Sequence, residues 1–285
     1  MNSIEKIKSL SIWKKDITIS PLEGGITNLN FIVSHGNEKV VVRLGQDIPE
    51  HLVFRSNEIN VSKAAYEIGV SPKLIYSETG VLVLEFIESK TLDASGVQKN
   101  LKKIIPVVKK IHTEIPNVLS GLPAIFWVFY VIKYYANFLK SKKSKHVGII
   151  DDLLNKASKL ENLSSPRHIV FGHNDFLAAN FLDDGSRIWV VDWEYGGFND
   201  PLFDIGGLAS NNDFNKDLEK EALELYYEKP ANKELLIKYN AMKTASLLRE
   251  AMWSMVSELT SKLDFDYGEY TQENLNKFSK AYEAL

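Results

Sequence analysis

The segment 168–194, HIVFGHNDFLAANFLDDGSRIWVVDWE, constrains the fold of this chain more than any other stretch. An apolar run leads into a polar loop that holds His173, Asp175 and Asn180, and after a turn a second apolar run ends at Asp192. This pattern predicts a strand, a loop, a hairpin and a second strand. We therefore expect two carboxylates and a carboxamide at the ends of adjacent strands, where a divalent cation and a reacting hydroxyl could meet.

The spacing of these polar side chains is typical of kinase-type phosphoryl transfer, in which a base Asp is followed by an Asn and then by another Asp. Asp175 would orient the acceptor hydroxyl and take its proton. Asn180 and Asp192 would ligate Mg²⁺, which prefers hard oxygen ligands, and His173 would brace the loop. The alternative, acidic turn residues between buried strands, is disfavoured because H-x-D-x-x-x-x-N arises by chance in roughly one chain in a hundred of this length.

The first part of the chain predicts a small sheet with one main helix, which would form an N-terminal nucleotide-binding lobe over 1–89. Alternating apolar residues separated by turn residues indicate five strands, at 17–22, 29–34, 38–44, 73–78 and 80–88. Helical spacing over 55–68 indicates the main helix, which Gly69 would end. A short amphipathic helix is expected at 3–14.

Five positions in this lobe are candidates for holding a nucleotide. Gly25 ends a Gly-Gly pair between strands, which could bring backbone N–H groups to phosphates, although an ordinary turn is the more common use of such a pair. Arg43 lies late in an apolar strand, where kinases place the cation that holds the phosphates, and Glu58 could pair with it. Taken alone, a solvent-facing Arg and a helix N-terminal Glu are the simpler alternatives. Glu85 and Ile87 end the fifth strand, where a kinase hinge would offer backbone groups to adenine.

Beyond residue 90, apolar residues recur at helical spacing, which predicts a mostly helical C-terminal lobe over 90–285 for catalysis and substrate binding. Helices are expected at 94–113, 124–142, 147–161, 215–228, 231–262 and 271–284. Prolines, Pro116 among them, are expected between these helices or at their edges. The fold class is therefore α+β: a bilobal protein-kinase-like fold with a five-stranded antiparallel sheet and one main helix in the first lobe.

Composition excludes several classes of function. The 285 residues carry a formal net charge of −3, which gives no broad cationic field and argues against a nucleic-acid partner. The chain has no Cys, which excludes disulfides, thiolate metal sites and Cys nucleophiles and fits a reducing compartment. The first residues lack the continuous apolar core of a signal peptide, and the longest apolar run, 126–132, is far below the roughly 18 residues of a membrane span. We expect a cytoplasmic protein without membrane insertion.

Four segments together resemble the choline/ethanolamine kinase family, in the aminoglycoside-phosphotransferase-like branch of the kinase fold. They are GGITNLNFIV (24–33), HNDFLAANFL (173–182), VVDWEYGGFNDPLFDIG (190–206) and LREAMWSMVSELTSKLDFDYGEY (248–270). The resemblance implies that ATP and Mg²⁺ are the cofactors, and that the Arg–Glu pair and the three catalytic positions take the roles given above. It also adds Thr27 and Asn28 to the nucleotide-binding candidates.

By the same resemblance, the cation of the acceptor would sit among side chains that follow the D-x-E motif and side chains of the C-terminal helix and turn. A quaternary ammonium has no N–H to donate, so aromatic faces and nearby carboxylates recognise it. The substrate-binding candidates are Glu194, Trp253 and Tyr270, followed by Tyr195, Phe198 and Asp200. Core packing is the alternative for Trp253, which lies on an apolar helical stripe. A helix-cap neighbour is the alternative for Tyr270, and bracing of the loop for Asp200.

One position departs from the family pattern. Some members carry two Trp residues one helical turn apart, and here the earlier position is Glu250. One wall of the aromatic cage would therefore be acidic, or be supplied from elsewhere. The leading hypothesis is an ATP- and Mg²⁺-dependent kinase whose small-molecule partner is choline and whose product is phosphocholine. A kinase of ethanolamine, an aminoglycoside or another amino alcohol, and a non-catalytic nucleotide-binding protein on a kinase fold, are the alternatives.

Overall fold

The computed structural model describes residues 2–22 and 28–285, and its N-terminal part is built on one antiparallel sheet. The strands, in the order β1-β2-β3-β5-β4 across the sheet, are β1 (Ile17–Leu22), β2 (Leu29–His35), β3 (Glu38–Leu44), β4 (Leu74–Glu78) and β5 (Val81–Glu85). Val33, Val42 and Val83 are fully buried on one face of the sheet, and Ile7 of helix α1 (Ser3–Lys8) packs on the same cluster. The predicted five-stranded antiparallel sheet is confirmed, whereas the first helix is shorter than the predicted 3–14.

Helix α2 (Arg55–Glu67) follows β3 through a loop that contains a short 3-10 turn at Pro49–His51. Arg55 N donates to Asp47 Oδ1 (2.8 Å), which satisfies one of the backbone donors in the first turn. The buried side of α2 includes Arg55 and Glu58 as well as apolar residues. Charged side chains therefore point from this helix into the interior, towards β3.

Helices dominate the rest of the chain, as predicted. They are α3 (Ala94–Lys99), α4 (Leu101–Val118), α5 (Val128–Ser141), α6 (Val147–Leu163), α7 (Pro201–Asn211), α8 (Lys216–Tyr227), α9 (Lys233–Thr260) and α10 (Tyr267–Glu283). Helix α9 packs against α5, α6, α7 and α10, and its residues Met252, Met255 and Val256 are fully buried. It is the central element of the main hydrophobic core. Within the described ranges, no helix is both long and apolar enough to cross a bilayer.

The prediction of one helix over 94–113 needs correction. The helix is broken at Asn100 into α3 and α4, and α4 then continues beyond Pro116, which the sequence places at a helix edge. A proline inside a helix removes one backbone hydrogen bond. The apolar side of α4, with Ile111 and Ile115 fully buried, holds the last turn against the core and offsets that loss.

Helix α7 is not predicted from the sequence pattern. Its start does carry a signal, because Asp200 Oδ1 accepts a hydrogen bond from Leu202 N (2.9 Å) as a helix cap and Pro201 occupies the first turn. Gly206 masks the helical pattern, yet the packing requires a glycine there. A Cβ at this position would lie 2.7 Å from Lys243 Cα on α9.

The central segment departs from the predicted pair of adjacent strands. Strand β7 (Val170–Gly172) pairs with β10 (Gly197–Asn199). The other strands form a separate three-stranded sheet, in the order β6 (Lys90–Thr91), β8 (Phe181–Asp183) and β9 (Ile188–Val190). The chain turns back after β9 and runs antiparallel along β7, so β10 rather than β9 becomes the partner of β7. Strand β6 belongs to this second sheet and not to the N-terminal one. The boundary between 1–89 and 90–285 stays a prediction.

Candidate functional site

A buried cluster of ion pairs joins β3, α2 and the segment that follows β9. Arg43 Nη1 lies 3.1 Å from Glu58 Oε1. Its Nη2 lies 2.6 Å from Asp192 Oδ1 and 3.0 Å from Glu194 Oε2. Arg55 Nη1 lies 2.6 Å from Glu58 Oε2 and 3.0 Å from Glu194 Oε2. Two guanidinium groups thus face three carboxylates, and the structure brings Arg43 and Glu58 together as their predicted pairing requires.

Sequence reasoning misses Arg55, which is as buried as Arg43. Its position three residues before Glu58 on a helix is the signal that could have found it, because such residues share a face. Gly45 leaves the room that this arrangement needs, since a Cβ there would overlap Asn28 Oδ1 and lie 3.0 Å from Arg55 Nη2. Asn28, a predicted nucleotide-binding residue, donates from Nδ2 to the Glu194 carboxylate (3.1 Å) and so closes the cluster.

The two acidic residues after β9 differ in their electrostatics. Burial raises the pKa of Asp192 above its ordinary value, and Glu194 adds to this while Arg43 opposes it. Burial also works to raise the pKa of Glu194, but Arg43 and Arg55 outweigh it and hold that pKa below its ordinary value. Glu194 is therefore a fixed anion between two arginines. The Asp192 side chain is 25% exposed against 4% for Glu194, so Asp192 is the carboxylate that an incoming cation can reach.

The loop after β7 carries the predicted base and is fixed by its own side chains. Asn180 Nδ2 donates to the backbone carbonyl of Asp175 (2.8 Å). His173 Nε2 lies 3.0 Å from Val191 O, and Asp175 N donates to His173 Nδ1 (3.3 Å). These contacts require a neutral imidazole that carries its proton on Nε2, and burial lowers the pKa of His173 accordingly. His173 therefore braces the loop and connects it to the segment after β9.

A second anchor of this loop, Asp204 on α7, is not found by sequence reasoning. Its carboxylate accepts hydrogen bonds from His173 N (2.8 Å) and Asn174 N (2.7 Å), and it lies 3.0 Å from His112 Nε2. Asn174 has φ 66° and Asp192 has φ 70°, a left-handed conformation that is uncommon for residues other than glycine. Each of the two loops therefore has one residue in a backbone conformation of higher free energy, and the hydrogen bonds of the loop stabilise it.

A cavity opens beside Asp175 between the loop, α7 and α9. Its lining includes Asp175, Asn211, Ser246, Arg249 and Glu250. Burial raises the pKa of Asp175 well above its ordinary value; Arg249 opposes this, whereas the negative charge of Glu250 adds to it. An elevated pKa brings a carboxylate closer to the range in which it can accept a proton from an acceptor hydroxyl.

The donor set fits a magnesium ion. Within the described ranges, no group of three or more His, Cys, Asp or Glu side chains could hold a metal. Magnesium does not require such a group, because it is commonly bound through one or two carboxylates together with substrate phosphates and water. Asn180 donates its side-chain N–H to a carbonyl of the loop, so its side-chain oxygen is not used in that bond. Asp192 is the carboxylate with the more accessible side chain. Metal binding by this pair stays a prediction.

The other predicted nucleotide-binding residues lie around the sheet. Gly25 and Thr27 fall outside the described residues. Glu85 is the last residue of β5, where its N–H donates to Lys73 O (2.9 Å). Ile87 lies beyond the strand, and its carbonyl accepts a hydrogen bond from Ser89 Oγ (3.0 Å). The hinge interaction with adenine stays a prediction, and the Glu85 N–H is the group least available for it.

Three aromatic side chains among the predicted substrate-binding residues belong to α9, to α10 and to the segment between β9 and β10. Trp253 Nε1 donates to Tyr195 Oη (3.0 Å), and both side chains are buried. The Trp253 ring lies 5.0 Å from the His51 ring between their centroids. Tyr270 Oη donates to Glu250 Oε1 (2.9 Å), so Tyr270 and Glu250 lie side by side near Asp175. Contact of these residues with an acceptor stays a prediction.

Three other predicted substrate-binding residues have partners within the chain, and their contact with an acceptor stays a prediction. Glu194 is held between Arg43 and Arg55. Phe198 lies in β10 and packs on Phe171, with ring centroids 5.4 Å apart. Of the two roles predicted for Asp200, the structure shows the brace, because its carboxylate caps α7.

Comparisons with known proteins find related sequences. The sequence model of a family described as Choline/ethanolamine kinase matches residues 19–220. The chain is 26% identical over 273 residues to protein LicA from Haemophilus influenzae, and the aligned region covers 92% of this chain and 79% of that protein. It is 28% identical over 301 residues to a probable ethanolamine kinase from Arabidopsis thaliana, and the aligned region covers 92% of this chain and 79% of that protein.

A solved structure carries the same fold. Choline kinase LicA from Streptococcus pneumoniae matches with a TM-score of 0.84 at 24% identity, and the match covers 100% of both chains. At this identity the likeness shows the fold alone. It confirms the predicted α+β kinase-like architecture.

Proposed function

Since the chain belongs to the choline/ethanolamine kinase family, we propose that it transfers the γ-phosphoryl group of ATP, with Mg²⁺, to the hydroxyl of a small amino alcohol, choline first. The chain is a small-molecule kinase that acts on an alcohol. One observation carries the finer proposal: Asp175 borders a cavity, and its loop is tied through His173 to the segment that holds Asp192 beside Arg43. Base, metal ligand and phosphate-holding cation are thus parts of one connected site.

Each candidate residue has one role in the proposed reaction. Arg43 would hold the nucleotide phosphates, and Glu58 would keep its guanidinium in place. Asn180 and Asp192 would hold Mg²⁺, which neutralises charge on the transferred phosphoryl group. Asp175 accepts the hydroxyl proton while the acceptor oxygen forms its bond to the γ-phosphorus and the bond to the β-phosphate oxygen breaks. The products are ADP and the phosphorylated alcohol.

Choline is the first candidate because aromatic side chains stand close to the cavity. Tyr270 bonds to Glu250 and Tyr195 packs on Arg249, both of the cavity lining, and Trp253 bonds to Tyr195. Aromatic rings of this kind recognise a quaternary ammonium. Ethanolamine is the second candidate, and Glu250 is the observation that favours it. A carboxylate in the cavity lining can accept the N–H donors of a primary ammonium, which choline does not have.

A cytoplasmic location is part of the proposal. The absence of Cys from the chain fits a reducing compartment. The net charge of −3 supports a small-molecule substrate rather than a nucleic-acid partner.

The test is an ADP-release assay with ATP and Mg²⁺ over choline, ethanolamine and a panel of aminoglycosides. We expect choline-dependent turnover with a KM below that for ethanolamine. Turnover only with ethanolamine or an aminoglycoside would keep the kinase mechanism and overturn choline as the acceptor. An Asp175→Asn variant is the matched control, because acceptor-dependent ADP release should fall strongly in it if the reaction uses the proposed base.

A further inference from the structure

We propose that Glu250 is a specificity-determining residue of the acceptor site, whose carboxylate favours acceptors with N–H donors over quaternary ammonium compounds. The inference rests on the proposed function and deepens it. Glu250 lines the cavity beside Asp175, and its side chain is 21% exposed. It is thus a partly accessible carboxylate next to the predicted base.

The contacts of Glu250 hold its carboxylate in one orientation. Oε2 lies 2.9 Å from Arg249 Nη1, and Oε1 accepts a hydrogen bond from Tyr270 Oη (2.9 Å). A carboxylate has about four acceptor positions, two on each oxygen. Each Glu250 oxygen therefore keeps capacity for one more donor, and the two existing bonds fix the direction in which that donor would approach.

Charge in the cavity also suits a cation. Arg249 is 4% exposed, and its Nε and Nη2 have no hydrogen-bond partner in the part of the chain that the structure describes. Its guanidinium carbon lies 4.4 Å from the centroid of the Tyr195 ring. The lining combines three carboxylates, Asp175, Asp204 and Glu250, with the one guanidinium of Arg249. Acidic side chains therefore outnumber basic ones, which favours a cationic acceptor.

The number of N–H donors on the acceptor decides how much Glu250 contributes. A primary ammonium offers three donors, each methyl group removes one, and a trimethylammonium offers none. A hydrogen bond between charged groups is stronger than a neutral one, and losing it costs about tenfold or more in affinity. The carboxylate still attracts a quaternary cation electrostatically, but it cannot form this bond with it.

The test measures kcat/KM for ethanolamine, N-methylethanolamine, N,N-dimethylethanolamine and choline in the wild type and in Glu250→Gln. We expect a loss of about tenfold or more for ethanolamine, smaller losses as methyl groups are added, and a loss below about threefold for choline. Because the ratio between acceptors is compared, a uniform change in the reactivity of Asp175 cancels. Equal losses for all four acceptors, or the largest loss for choline, would overturn the inference.

Two further variants keep the result interpretable. Glu250→Asp retains a charge beside Arg249 and shortens the reach of the carboxylate, so it replaces Glu250→Gln in the test if that variant does not fold. The losses in kcat/KM should follow the same order among the four acceptors. Glu258→Gln removes another acid of α9, which pairs with Lys145 (2.7 Å) and His146 (2.9 Å), and should change no ratio between acceptors. No turnover of any of the four acceptors by the wild type would overturn the proposed function and this inference with it, whereas turnover with unchanged ratios would overturn this inference alone.

Discussion

Arg43 Nη2 lies 2.6 Å from Asp192 Oδ1, which joins a strand of the N-terminal sheet to the predicted metal segment 149 positions later. The contact places the predicted phosphate-holding cation against the predicted metal ligand. In the proposed roles Asp192 would hold Mg²⁺ and Arg43 would bind phosphate oxygens, with Glu58 holding Arg43 Nη1. The pair would therefore link nucleotide binding to the predicted metal site.

Arg43→Met tests this link. The variant keeps much of the aliphatic part of the side chain but removes the charge, so we expect the ATP KM to rise on the order of tenfold or more and kcat to fall. Arg55→Met is the matched control, since Arg55 contacts Glu58 and Glu194 but not Asp192. Steady-state kinetics with varied ATP should show the larger effect in Arg43→Met. Equal ATP KM values in wild type and Arg43→Met would show that Arg43 does not contribute to nucleotide binding.

Asp175→Asn should separate chemistry from binding. The variant keeps the shape of the side chain but cannot accept the hydroxyl proton, and positioned general bases contribute about 10²–10⁴ in rate. We expect kcat to fall by a factor in that range and the ATP dissociation constant, measured by calorimetry, to stay within about threefold. Turnover near the wild-type rate would show that another group takes the proton.

The sequence predicts much of this site because its chemistry depends on spacing along one segment. Asp175, Asn180 and Asp192 can be recognised from their intervals and from the apolar runs beside them. Arg43 and Glu58 lie far apart in sequence, but their pairing follows from the strand–helix order of the first lobe.

The parts that the sequence does not predict depend on tertiary packing. Asp204 anchors the loop after β7 from a helix whose pattern is masked by Gly206. A glycine is needed there because α9 passes close to it. Glu194 is predicted from sequence as a substrate ligand, but in the structure it pairs with Arg43 of β3 and Arg55 of α2. The order of the small strands around β7 is likewise set by where the chain turns back, which no local periodicity encodes.

Trp253→Ala should distinguish a substrate contact from core packing. If Trp253 contacts the acceptor as predicted, the choline KM should rise strongly and the ATP KM should change little, because the ring contacts Tyr195 and His51 and not the ion-pair cluster. The buried ring also stabilises the fold, so the free energy of unfolding should fall by about 3–5 kcal/mol. Kinetics must therefore be measured below the unfolding transition of the variant. A choline KM equal to that of the wild type would assign Trp253 to the core alone.

The acidic side of the pH–rate profile should report the charges around Asp175. Activity requires the ionised carboxylate, so kcat/KM for the acceptor should rise with pH through the raised pKa of Asp175. Arg249 lowers that pKa and Glu250 raises it. Arg249→Met should therefore move the acidic limb to higher pH, and Glu250→Gln should move it to lower pH. Shifts of the same sign in both variants would show that the limb belongs to another group.

His51 should make the fold sensitive to acid. It is buried between α5 and α9, with its ring against Trp253 and its Nε2 3.1 Å from Ser257 Oγ. Burial lowers its pKa from 6.5 to about 3, and the positive charge of Arg249 adds to the effect. The unfolded chain therefore binds a proton between pH 6.5 and about 3 that the folded protein does not bind. Stability from this group is complete above pH 6.5 and is lost as the pH falls towards 3.

His51→Gln removes this titration and keeps a polar side chain that can meet Ser257. A difference of about three pKa units corresponds to on the order of 4 kcal/mol, so urea unfolding at pH 7 and pH 4 should show a smaller loss of unfolding free energy in the variant than in the wild type. The comparison uses the change between the two pH values, because the substitution itself alters packing at pH 7. If both proteins lose the same free energy over this interval, His51 is already protonated in the fold or is not buried in solution, and the contact between the β3–α2 loop and α9 is looser than the structure shows.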